Sequence, residues 1–216
     1  MMHGVTFGNI HSYNDLGLIL APFTPSPAPI KEQYLDIQGG HGQLDLTEKF
    51  GRIFYDNREL EFEFYIKPDD DKTFDQRVSL VSNALNGKKC KITLDRDNEY
   101  YFNGRCSVNE YELDKRIGKI VVRAVCTPFK LKQELTVHAF TLSSVEKTVT
   151  VENGKMHAIP VIECTDDDTT VIFNGNTITM NAGTHRVLDI EFAEGDNELT
   201  LSGSGTITFT YQWGDL

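Results

Sequence analysis

The sequence predicts a mainly β protein in two parts, residues 1–135 and 136–216, and three observations carry that reading. Residues 59–66, ELEFEFYI, alternate strictly. Leu60, Phe62, Phe64 and Ile66 share one face, while Glu59, Glu61, Glu63 and Tyr65 share the other, which is the pattern of a half-buried antiparallel strand. Only one stretch, FDQRVSLVSNALN (74–86), has a helical period. Beyond residue 136, runs rich in Thr, Val and Ile recur between Asn-Gly, Asp-Asn or Gly punctuation, with no helical period. Short strands at such spacing make a compact β-sandwich.

Taken in order, residues 1–29 read as a loop-rich connector, because Pro22, Pro25, Pro27 and Pro29 favour extended geometry. IKEQYLDI (30–37) reads as a short strand, and GRIFY (51–55) as another before the Asp56-Asn57 turn. KPDDD (67–71) breaks the alternating strand. In the helix, Phe74, Val78, Val81 and Leu85 form one apolar stripe. Thr73 is placed to N-cap it with Gln76 completing a capping box, and Gly87 suits the left-handed position just past the end. KCKITL (89–94), the turn DRDN (95–98) and EYYFNGRCSVNEYEL (99–113) read as a long hairpin. KRIGK (115–119) makes the next turn. IVVRAVC (120–126) is apolar on both faces, as a central strand would be. Residues 136–147 read as a linker. TVTVEN, AIPVIECT, TTVIFNGNTITMNAG, HRVLDIEFAEG and NELTLSGSGTITFTYQWG supply the strands of the second part.

A length of 216 residues suits two small domains, and 39% hydrophobic content can build their cores. No apolar run approaches the ~18 residues that a bilayer span needs, and the N-terminus lacks the basic and apolar regions of a secretory signal. The expectation is a soluble protein made in a cytoplasm. The net charge of −11 is uneven. Up to Leu135 there are 18 Lys and Arg against 20 Asp and Glu; from Thr136 there are 3 against 12. So acidic a second part should repel phosphate backbones. Cys90, Cys106, Cys126 and Cys164 fit no zinc-ribbon spacing, and the first three share strand parity with apolar neighbours, so the cysteines are expected as reduced, buried thiols.

The chain offers little to chemistry. His41, Asp45 and Glu48 are plausible metal ligands by type, but no second histidine or HExxH supports them. No GxSxG accompanies the six scattered histidines, and Asp166 to Asp168 read as a solvated turn. Gly39-Gly40-His41-Gly42 opens no helix, so it fails the context of a phosphate loop. Its glycines, with Gly51, read instead as positive-φ or close-approach positions between strands. Phe209, Tyr211 and Trp213 share one parity of the last long strand. Such a row can be a sugar-stacking platform, or core or interface. The expectation is therefore a protein without catalytic residues, bound metal or cofactor.

The ordered motifs resemble the distal tail protein (Dit) family of long-tailed phages of Gram-positive hosts, which is also found in prophages. They are Ser12-Tyr13 with Asp15 and Gly17-Leu18, then Pro29-Ile30-Lys31 with Tyr34 and Asp36-Ile37. Next come Gly39 and Gly42 with Leu44-Asp45-Leu46-Thr47-Glu48, and Tyr55 with Asn57-Arg58-Glu59-Leu60. Leu85-Asn86-Gly87-Lys88, the hairpin from Asp95 to Tyr101, and Gly104-Arg105 follow. Asn153-Gly154, Pro160, the Asn174-Gly175 turn and Gly214-x-Leu216 complete the set, and Gln38 stands where the family carries proline. The resemblance implies an N-terminal β-sandwich-like domain with one packed helix and a long hairpin. It implies a C-terminal galectin-like, carbohydrate-binding-module-like sandwich. It further implies a homo-hexameric ring at the virion tail tip, assembled in the host bacterial cytoplasm. That ring would sit between the tail tube protein and a tail-associated hub or lysin protein. The C-terminal sandwiches would hold receptor-binding or baseplate proteins, and DNA would pass through the channel without specific binding or any membrane contact. The motif residues would then be structural. Tyr211 and Trp213 are the candidates for a sugar or partner contact. A carbohydrate-binding module recognising host wall glycans is the alternative reading.

Overall fold

A computed structural model describes residues 4–66, 73–114 and 117–216. The chain divides into two compact units, one of residues up to Lys130 together with Leu216, the other Leu131–Asp215.

The first unit contains β1 (Val5–Phe7), β2 (Ile10–His11), β3 (Leu18–Leu20), β4 (Tyr34–Asp36), β5 (Gln43–Asp45), β6 (Arg58–Ile66), α1 (Phe74–Leu85), β7 (Lys89–Leu94), β8 (Asp97–Asp114) and β9 (Ile117–Cys126). Its main sheet runs β2-β1-β7-β8-β9-β6-β3, with antiparallel neighbours throughout. The alternation of β6 places Leu60, Phe62, Phe64 and Ile66 in the core. Phe62 meets Phe7 edge-on at 5.5 Å between ring centroids, a geometry that aligns the positive ring edge with the negative face. β9 lies between β6 and β8, and Val121 is buried on the parity opposite to Ile120 and Val122. The predicted capping box is present: the Gln76 backbone N–H donates to Thr73 Oγ1, and the Thr73 N–H to Gln76 Oε1. Val78, Val81 and Leu85 enter the same core as β6, so the helix covers the sheet with its single stripe.

The connector expected over residues 1–29 instead supplies β1, β2 and β3. Strands of two or three residues are too short to reveal a period. They exist because distant partners hold them: Val5 to Phe7 pair with Leu94 to Ile92, and Leu18 to Leu20 with Ile66 to Phe64. The strand expected at 30–37 is confined to Tyr34–Asp36, and GRIFY forms none; Tyr55 makes only an isolated bridge to Ile30. The break at 67–71 lies outside the described residues, as do Lys115 and Arg116 of the KRIGK turn.

The second unit contains β10 (Lys130–Lys132, its first residue counted with the first unit), β11 (Thr136–Thr141), β12 (Lys147–Asn153), β13 (Val161–Cys164), β14 (Thr169–Phe173), β15 (Asn176–Met180), β16 (Gly183–His185), β17 (Gly195–Ser202), β18 (Thr206–Tyr211) and β19 (Gly214–Asp215). Two four-stranded antiparallel sheets, β11-β18-β13-β16 and β12-β17-β14-β15, enclose a core of Val151, Ile162, Val171, Phe192, Leu199 and Phe209. The Asn174-Gly175 pair closes β14 on β15 with φ of 50° and 81°, values that suit a tight hairpin turn. The stretch expected as a linker at 136–147 contains β11, which pairs along its whole length with β18. HRVLDIEFAEG forms no long strand. Its Ile190 and Phe192 are fully buried, yet the backbone around them makes only one bridge, Phe192 to Ala158. All four cysteines are free, and only Cys90 is not fully buried.

Candidate functional site

The predicted site residues fall into four neighbourhoods. Around β2, Ser12 is fully buried and its Oγ accepts the Val5 N–H at 3.0 Å. His11 Nδ1 accepts the backbone N–H of Tyr13 and Asn14, so a neutral ring carries its proton on Nε2, 3.2 Å from Asp95 Oδ2. The same Asp95 oxygen accepts the Gly4 N–H, and Asp15 Oδ2 accepts the His11 N–H. At Gly17 the backbone has φ +65°, and a Cβ would lie 2.6 Å from Arg77 Nη1. That guanidinium donates to the Leu16 carbonyl. Ser12 thus ties β2 to β1 and Asp15 holds the local turn, while Gly4 and His11 reach the β7–β8 turn through Asp95 and the Leu16 carbonyl reaches the helix through Arg77. Tyr13 is left exposed.

The second neighbourhood is a small two-stranded sheet made by β4 and β5 alone. Leu35 pairs with Leu44 and Tyr34 with Asp45. Gly39, Gly42 and Gly51 have φ between 74° and 80° with nothing within 4 Å of a Cβ, so they serve as positive-φ turn positions and not as close approaches. Thr47 locks the base: its N–H donates to Asp45 Oδ1, and its Oγ1 accepts the Gln33 N–H. Hydrogen bonds from Thr47 hold the Asp45 carboxyl below the usual range, while Glu32 and then Asp45 push the Tyr34 phenol up. The lobe exposes large apolar side chains among its polar ones. Phe50 is 73% exposed and Leu35 55%, with Ile30, Tyr34, Ile37 and Leu44 close behind. Phe50 and Phe54 stack edge-on beneath Lys49 and Arg52. A lone two-stranded hairpin is marginal in water, and clustered exposed apolar side chains are a common feature of interaction surfaces.

The third neighbourhood unites two motifs that are distant in sequence. Arg58 and Gly104 both pair with Cys126, one from each side of β9. A Cβ on Gly104 would collide with Cys126 Sγ and lie 3.0 Å from the Val125 carbonyl, so this glycine is demanded by close approach. Arg105 donates to the Gly87 carbonyl at 2.6 Å, tying β8 to the end of α1. Asn57 is exposed, whereas Arg58 is buried with its guanidinium over the Phe102 ring. Beyond a bulge at Val108, the β8–β9 hairpin carries the exposed side chains of Tyr111, Leu113 and Ile117.

The fourth is in the second unit. Tyr211 is 3% exposed, packs against Phe192, and donates its hydroxyl to the Glu152 carbonyl. Burial pushes its phenol up to about 12. Trp213 is partly buried, with Lys132 Nζ 4.0 Å over its ring and its Nε1 donating to Asp215. Of the aromatic row, Phe209 and Tyr211 therefore face the core. Among the described residues, no cluster of His, Cys, Asp and Glu has the geometry of a metal site. Sequence reasoning missed the apolar lobe. Its signal was the pair of LDI and LDL flanking the glycines, which become the strands of the small hairpin.

Neither a family profile nor a curated protein matches the sequence. Among solved structures, the Dit protein of phage SPP1 superposes with a TM-score of 0.72 at 13% identity, covering 100% of both chains. The chain has the Dit fold. That structure is described as a hub of the adsorption apparatus in phages that infect Gram-positive bacteria. Both the Dit-like architecture and its mainly β character with one helix agree with the expectation from the motifs. At 13% identity the shared feature is the backbone path, and the Dit likeness spans both units.

Proposed function

We propose that this protein is a structural distal tail hub: a homo-hexameric ring joining a phage tail tube to its tail-tip or baseplate and receptor-binding apparatus. The observation that carries this reading is the full-length correspondence with a Dit hub, in which neither chain has an unmatched domain. On this reading residues 1–135 build the ring, while 136–216 form the outer sandwich that holds receptor-binding or baseplate proteins. The ring is assembled in the host cytoplasm, works at the virion tail tip, and performs no catalysis. A ring needs a heterologous contact, in which one patch of a subunit meets a different patch of the next. The first unit offers two such patches: the apolar β4–β5 lobe and the distal β8–β9 hairpin, where β8 beyond Val108 has no strand on its outer side among the described residues.

Light scattering coupled to size exclusion, over a concentration series, tests the proposal. A species of six times 24.4 kDa with an open channel in negative stain is the expected result. A monomer that still fails to join a ring when supplied with a tail-tube partner would overturn it.

A further inference from the structure

Arg58 is 3% exposed, yet no carboxylate pairs with it among the described residues, and its Nε is buried without a hydrogen-bond partner. Its one close contact of note is the Phe102 ring, 5.2 Å below the guanidinium carbon. Desolvation lowers its pKa, the sign of a cation held in surroundings that disfavour charge. A guanidinium remains protonated even so, because its intrinsic pKa is far above neutrality. The first unit therefore keeps a positive charge inside without a side-chain ion pair among the described residues.

That charge borders a cavity of about 390 Å³, walled by residues 25–28, Arg58, Asp97, Phe102, Lys130 and Leu216. Asp97 is the one acidic side chain in this wall, and Lys130 Nζ already holds it at 3.3 Å. Lys130 also lies over the Tyr100 ring, 4.6 Å from its centroid. Among its side chains the wall thus carries one ion pair and one guanidinium without a carboxylate partner. Pro25, Pro27 and Phe102 give the rest an apolar character.

We propose that this cavity is an oxyanion site, taking the carboxylate or phosphate group of a small molecule on the Arg58 guanidinium, with the apolar wall receiving the remainder. A planar fork of N–H donors matches two oxygens of such a group at once, and burial strengthens that pairing. The site is independent of the ring reading: it needs only the fold of the first unit.

The test uses thermal unfolding of the full chain in inorganic phosphate, and separately in benzoate, with chloride matching the ionic strength. At about ten times the dissociation constant, either anion should raise the transition of the wild type by about 3 °C or more. Arg58→Met should lose that rise, and without anion it should unfold no lower than the wild type, since an apolar isostere removes an unpaired buried charge. Lys130→Gln leaves Asp97 free to compete for Arg58, so the anion-induced rise should at least halve. This second variant keeps the test decisive if Arg58→Met does not fold. An absent rise in the wild type would show that no anion binds, and an equal rise in the variants would show an ordinary salt effect; either result would overturn the proposal.

Discussion

The two units bury their cores by the same rule and finish their surfaces differently. In the second unit, both sheets turn their apolar faces inward, and its acidic composition is carried on the outside. Among exposed large apolar side chains there, Val145 and Leu188 stand in separate loops, and single exposed apolar residues are normal on a folded domain. The first unit has an equally closed core around Phe62 and Phe64, but it also displays Tyr34, Leu35, Leu44, Phe50 and Phe54 together on a lobe that belongs to no larger sheet. The difference teaches that its sequence retains apolar residues beyond what its own core uses. A hub subunit, on the function proposed above, has that need.

The contrast breaks most completely if the lobe is made polar. Leu35→Glu with Phe50→Glu should convert the expected hexamer to a 24.4 kDa species in light scattering, with unchanged circular dichroism. Core truncations should respect the two units. Phe62→Ala and Phe209→Ala should each cost about 3–5 kcal/mol by denaturant unfolding. If each lowers only the transition of its own unit, the division at residue 130 is energetic as well as geometric. Gly104→Ala should cost about 1–3 kcal/mol through overpacking against Cys126, and the loss should be confined to the first unit.

An alkaline titration separates the units by chemistry. The Tyr211 phenol is raised to about 12 in the fold, above its ordinary 10. Between these values the unfolded chain ionises first and holds fewer protons, so stability is intact below pH 10 and falls as pH rises toward 12. Thermal scans should show the second unit losing up to about 2 kcal/mol over that window, and Tyr211→Phe should flatten the loss. Thr73→Ala removes the cap of α1 and should cost the first unit about 1 kcal/mol in urea, leaving the second unchanged.

Local patterns in the sequence were sufficient for the long elements. Strict alternation defined β6, one apolar stripe with Thr73 and Gln76 defined α1, and Asn174-Gly175 defined a hairpin. Each signal lies within a dozen residues and follows from side-chain direction on a strand or helix. Tertiary structure alone decided the rest. β1 and β3 are strands only because β7 and β6 supply partners from far along the chain, and β11 because β18 does. The lobe at β4–β5 needed pairing and exposure together, since the same LDI and LDL segments would read identically if buried. Arg58 could be recognised as a buried charge without a side-chain ion pair only after Phe102, Asp97 and Lys130 were brought around it. The physical reason is the same in each case. A periodic pattern records which way a side chain points, but pairing, burial and charge compensation depend on which distant residues fill the space it points into.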